Sequence, residues 1–178
     1  GYGESSKVKI QCVPQVSSNL IRMYDPSNSA SYAGTGTILN DLTSYAVNGS
    51  LVNGVAFSSS NSGILHFDGS NDYVDILDDN KLDFTTAFTI EGWVYPKSAS
   101  STAAEVIFGK VNDLGSGNGS DVAYMLRLYN GKFQIEVGNG TSPSKYYAVN
   151  NYDQNKWQHV AGVFSGGSMK LYIDGILI

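Results

Sequence analysis

Cysteine is all but missing from this sequence: Cys12 is the one thiol among 178 residues, so no disulfide can form within the chain. A core of apolar side chains must therefore hold the fold without cross-links, and at 42% hydrophobic residues the chain has enough of them. Cys12 sits in the alternating run Lys7–Val13 and reads as a small buried hydrophobe. Charge is thin as well: Asp, Glu, Lys and Arg make up 15% of the residues. The 11 Lys and Arg form no cluster, and the net charge is −5. Nucleic acid is thereby disfavoured as a partner, because phosphate contacts need a basic face. No apolar run approaches the about 20 residues of a membrane-spanning helix, so membrane insertion is not expected. No charged-then-apolar leader opens the chain, and its first residue is Gly, which reads as a processed chain or a fragment.

Catalytic signatures are missing too. There is no Gly-x-Ser-x-Gly elbow, no phosphate loop and no Glu-x-Asp-x-x-Glu strand. Glycoside hydrolysis needs two carboxyl groups flanking one bond. Glu91 and Glu136 each lie on a strand-like segment with no carboxylate two residues away. His66 and His159 belong to strands, and neither falls in a zinc-ligand pattern. Both read as ordinary strand residues, and the chain reads as a non-enzyme.

No segment keeps a 3.6-residue period, which removes helical folds from consideration. What is present in abundance is turn chemistry. Asn-Gly occurs at Asn48, Asn53, Asn118, Asn130 and Asn139, and Asp-Gly at Asp68 and Asp174. Such pairs accept positive φ and suit tight hairpin turns. Between them lie short alternating segments, among them residues 64–67, 73–76, 88–95, 106–110, 124–129, 132–137, 157–164 and 169–173. Many short strands at this spacing, with no helix between them, predict an all-β, two-sheet antiparallel sandwich. Residues 25–50 are the least regular and read as a long surface loop. Residues 1–19 read as a linker or a strand of a preceding domain.

Four segments, in order, carry a family resemblance. They are Phe67-Asp68-Gly69-Ser70-Asn71-Asp72-Tyr73-Val74, Phe88-Thr89-Ile90-Glu91-Gly92-Trp93-Val94, Trp157-Gln158-His159-Val160 and Leu171-Tyr172-Ile173-Asp174-Gly175. Each is weak alone; together they resemble the laminin-G-like, concanavalin A-like jelly-roll family, in its pentraxin-related branch. The resemblance covers residues 20–178 and implies a jelly roll that lacks its last strands, since such chains continue past the Asp174-Gly175 hairpin.

It also implies a partial Ca2+ site in the Gly/Asn loop after residues 106–110, with Asp113, Asn118 and Asp121 as oxygen ligands. The same loop also reads, and more simply, as a plain Gly/Asn connection. Asp68, Asn71, Asp72 and Asp75 read as a turn with solvated carboxylates, and Asp78, Asp79 and Asp83 as a solvated charge run. Tyr146, Tyr147 and Tyr152 are candidates for stacking on sugar rings, with core packing as the alternative. Asn48, Asn118 and Asn139 open glycosylation sequons that coincidence in an Asn/Gly/Ser-rich chain also explains.

The expected function is a non-catalytic binding or adhesion module at an extracellular or virion surface, taking a glycan or a protein. The alternative is a structural appendage domain contacting other subunits of a large assembly. A glycan-cleaving enzyme is the third reading and lacks its residues.

Overall fold

The computed structural model describes residues 18–97, 105–111, 122–138, 144–147 (backbone only) and 151–178. Cys12, most of the expected 1–19 linker, Asp113, Asn118 and Asp121, and the sequon at Asn139 lie outside them. The chain divides into two compact units, Gly1–Asp78 and Asp79–Ile178. Among the described residues no helix is long and apolar enough to cross a membrane.

In the first unit, β1 (Ile38–Leu39), β2 (Gly49–Val52) and β5 (Tyr73–Ile76) form one antiparallel sheet in the order β1-β2-β5. The strands β3 (Ala56–Ser58) and β4 (Ile64–His66) pair with each other. Tyr32, Leu39 and Leu51 form the core of this unit, with Tyr24, Phe57 and Val74 packed around them. Asp68-Gly69 does not close a hairpin. The strand before it pairs with β3 and the strand after it with β2. Asp68 Oδ1 instead accepts the Ser70 N–H at 2.8 Å, an Asx turn that carries the chain between two sheets.

Residues 25–50 are not a surface loop throughout. Ser31, Tyr32, Leu39 and Asp41 are buried. The Asp41 carboxylate organises the segment: it accepts N–H bonds from Met23 at 3.1 Å, Thr43 at 2.9 Å and Val47 at 3.3 Å, and the Thr43 hydroxyl at 2.8 Å. Four donors and Arg22, 3.9 Å away, replace the water this charge gives up. Tyr24 donates its hydroxyl to the Val47 carbonyl at 2.6 Å. Burial, and then the charge of Asp41 against the weaker pull of Arg22, pushes the Tyr24 phenol from 10.0 up to about 12. Its folded value lies above its unfolded one, so its contribution to stability is complete below pH 10 and is lost as the pH rises to about 12. Urea unfolding of the chain is expected to weaken between these values, and Tyr24→Phe, with no proton to lose, to fall less steeply. Parallel slopes for the two proteins would refute this.

The second unit holds two four-stranded antiparallel sheets. One comprises β7 (Glu105–Val111), β8 (Val122–Tyr129), β9 (Lys132–Val137) and β10 (Ser144–Tyr147), in the order β10-β9-β8-β7. The other comprises β6 (Ala87–Val94), β11 (Gln158–Ser165), β12 (Ser168–Ile173) and β13 (Ile176–Leu177), in the order β13-β12-β11-β6. The turn pairs behave here as their chemistry dictates. Asn130 and Gly131, at φ 50° and 76°, join β8 to β9, and Asp174 and Gly175, at φ 51° and 78°, join β12 to β13. Successive positive φ angles give the hairpin turn whose twist matches the strands.

Strand alternation builds the core. Leu126, Leu128, Phe133 and Ile135 from one sheet meet Phe88, Val160 and Leu171 from the other. β9 faces β11 and β12 across this layer. Gly162 of β11 permits the approach: a Cβ there would lie 2.8 Å from Ile135 Cδ1.

Candidate ligand-binding face

The expected site residues do not converge among the described residues. The proposed calcium ligands Asp113, Asn118 and Asp121 are outside that set, and among the described residues no group of three or more His, Cys, Asp or Glu is placed to hold a metal. Tyr146 and Tyr147 lie on β10, in register with Ile135 and Gln134. Tyr152 is not a surface residue. It is 6% exposed, its ring packs on Phe133 with centroids 5.6 Å apart, and its N–H donates to the Gly131 carbonyl at 2.9 Å. Apolar burial of the ring outweighs any surface role.

The acidic run 78–83 is local structure: Asp79 caps a 3-10 turn by accepting the Lys81 N–H at 2.9 Å, and Asp83 pairs with Lys110. Glu136 is buried, not open to solvent. Arg127 Nε donates to Gln134 Oε1 at 3.3 Å, Gln134 Nε2 donates to Glu136 Oε1 at 2.6 Å, and the Arg127 guanidinium pairs with Glu136 directly. Arg127 also lies 4.8 Å above the Tyr129 ring. These positions alternate with Leu126, Leu128, Phe133 and Ile135, so the network occupies the sheet face away from the core.

An exposed aromatic surface of the second unit lies elsewhere, on β6 and β11. Phe88, Ile90 and Val94 turn towards the core. Thr89, Glu91, Trp93 and Tyr95 therefore fall on the other face. Trp93 is 66% exposed and Tyr95 40%. On β11, Val160 and Phe164 belong to the core side, which leaves His159 outward, in register with Trp93. The Trp93 and His159 rings meet edge to face, 5.4 Å apart at 61°. Tyr95 and Trp157 repeat the arrangement at 5.5 Å and 61°. Trp93 and His159 thus sit on the two-strand ladder, and Tyr95 and Trp157, one residue beyond its end, extend the row to four rings. Glu91 stands at the end of the row, its Oε2 4.0 Å from His159 Nε2. His159 is fixed from the backbone, donating its N–H to Asp174 Oδ1 at 2.9 Å and accepting the Asp174 N–H at 2.8 Å.

Sequence reasoning passed over this row because His159 read as an ordinary strand residue and Trp93 entered only as part of the segment that carries the family resemblance. The available signal was parity. Once Phe88, Ile90 and Val94 are assigned to the core, Glu91, Trp93 and Tyr95 must face away from it. A tryptophan left in water forgoes one of the largest apolar burials any side chain can make. Edge-to-face partners hold such a ring in place without covering it.

Residues 68–178 match the family model of the concanavalin A-like lectin/glucanases superfamily, in its laminin-G form, and that span is more than half of the chain. The chain belongs to this superfamily, and its antiparallel sheets are those of a concanavalin A-like β-sandwich. Its fold is similar to that of a solved structure described as the binding domain of Botulinum neurotoxin DC in complex with rat synaptotagmin II. The TM-score is 0.58 at 16% identity, over 82% of this chain; the chain spans 37% of the length of that one. No curated protein matches the chain in sequence.

Proposed function

We propose that the chain is a non-catalytic binding module, working at an extracellular or virion surface, whose aromatic row on β6 and β11 takes a neutral glycan. The exposure of Trp93 beside its edge-to-face partner His159 carries this reading. A pyranose ring has an apolar C–H face and a polar rim. Trp93 and Tyr95 suit the face, while the Glu91 carboxylate and the His159 imidazole suit the hydroxyls. Superfamily membership is consistent with a binding role but does not name the ligand. Glu91 has no carboxylate two residues away on its strand, which favours a binding over a paired-acid reading of the row.

A glycan array probed with the whole chain, with and without a chelator, tests the reading. Trp93→Ala is expected to weaken binding about 10- to 100-fold, the value of about 1.5–3 kcal/mol of aromatic burial. Its unfolding stability is expected to stay within about 1 kcal/mol of the wild type, because the side chain is exposed. An array with no bound glycan, or undiminished binding by Trp93→Ala, would overturn the proposal. In the first case a protein ligand would be favoured.

A further inference from the structure

The aromatic row repeats itself. Trp93 with His159, and Tyr95 with Trp157, are two pairs of one kind, each meeting edge to face at 61°. In both pairs the more exposed ring is the one from the β6 segment. We infer that the row takes the interior of an extended, neutral glycan chain with equatorial linkages of the β-1,4 type, laid along β6, and not a single sugar or a chain end. The inference rests on the reading of the row as a glycan platform.

Spacing comes first. Positions two residues apart on a strand are about 6.6–6.8 Å apart, a step of the same order as that between neighbouring rings of an extended glycan. Trp93 and Tyr95 are such positions, so each can stack under one of two successive sugar rings. Stereochemistry then narrows the linkage. When both glycosidic bonds leave a ring equatorially, the chain is a straight ribbon whose C–H faces are all presented along its length. An axial bond, as in an α-1,4 chain, turns each ring away from the last and brings only one at a time onto a flat row.

The row is also open at one end. Past Glu91, the same face of β6 continues with Thr89 and Ala87, both exposed, opposite Val163 and Ser165 of β11. None of these four is large enough to stop a chain. From Tyr95 to Ala87 the backbone runs about 27 Å, room for about four or five rings. A site that selects one sugar or a chain end encloses it in a concavity, whereas an exposed strand face lets the chain run on.

Charge selects the neutral member of this class. Thr89, Glu91, Trp93, Tyr95, Trp157 and His159 include one carboxylate and no Lys or Arg. A chain of uronic acids would bring like charge onto Glu91, while hydroxyls on the ribbon's edge can donate to it.

The test is calorimetric titration of the whole chain, backed by the 15N–1H signals of its tryptophan indoles. The probes are cellotetraose, β-1,4-mannotetraose, chitotetraose and xylotetraose, the disaccharide of each, and maltotetraose, which differs from cellotetraose in linkage alone. At least one β-1,4 tetrasaccharide is expected to bind about 10-fold or more tightly than its own disaccharide, and maltotetraose to bind at least about 10-fold more weakly than that tetrasaccharide. Tyr95→Ala is expected to weaken the tetrasaccharide about 10-fold, and Tyr95→Phe, which keeps the ring, to bind within about 2-fold of the wild type. If the Trp93 indole responds to a glycan but affinity does not rise with length, or maltotetraose binds as well as the β-1,4 chains, or Tyr95→Ala binds as the wild type does, the extended-chain inference is overturned and the platform stands. If no probe and no array glycan moves the Trp93 indole, the platform reading fails and this inference fails with it.

Discussion

Glu136→Ala is expected to destabilise the second unit by about 3–5 kcal/mol, a large share of the stability of any single domain. The carboxylate is 2% exposed and shares its Oε1 with Gln134 and Arg127. Removing it strands a guanidinium that is itself 8% exposed, together with a Gln134 donor that is fully buried. The cost is the desolvation of groups that lose their partner, not the net attraction of the pair. This distinction has a measurable consequence. The triple variant Arg127→Met/Gln134→Leu/Glu136→Leu removes the whole network and keeps comparable volume, and it is expected to recover most of the loss. Guanidinium unfolding of both variants checks the argument. A single-variant loss below about 1 kcal/mol would mean that water reaches the network.

Phe133→Ala is expected to cost a similar amount, about 3–5 kcal/mol, for a different reason. Phe133 is fully buried at the start of β9 and meets Tyr152 at 5.6 Å. Truncation removes apolar area and leaves a cavity between the sheets, which antiparallel ladders on both sides are too stiff to close. Tyr152→Ala should open a cavity against the same ring. Because the two side chains touch, the double variant is expected to cost less than the sum of the singles. Thermal or denaturant unfolding of the three variants gives the coupling directly. Strict additivity would show that the rings do not support one another. Folded Tyr152→Ala should keep its glycan affinity, since its ring belongs to the core and not to the face.

The strands of the second unit were legible because their cues are local. Residues 124–129 and 132–137 alternate and flank Asn130-Gly131, and a turn with two positive φ angles leaves antiparallel pairing as the short way back. Residues 25–50 were less legible. Their burial is organised by Asp41, a polar residue whose partners include Met23, 18 residues back, and no local pattern announces a carboxylate that will be solvated by backbone. Asp68-Gly69 had the composition of a hairpin, but its flanking strands found other partners. A turn residue permits a chain reversal without choosing what pairs afterwards.

From the sequence alone came the all-β class, the principal strands and the turns of the second unit. Tertiary structure alone decided which side of each strand is covered. A period of two separates Trp93 from Val94, and Gln134 from Ile135, onto opposite faces, but it cannot say what lies above either face. That depends on sheets assembled from distant segments. For this reason Tyr152 and Glu136 are buried, while Trp93 stands in the open.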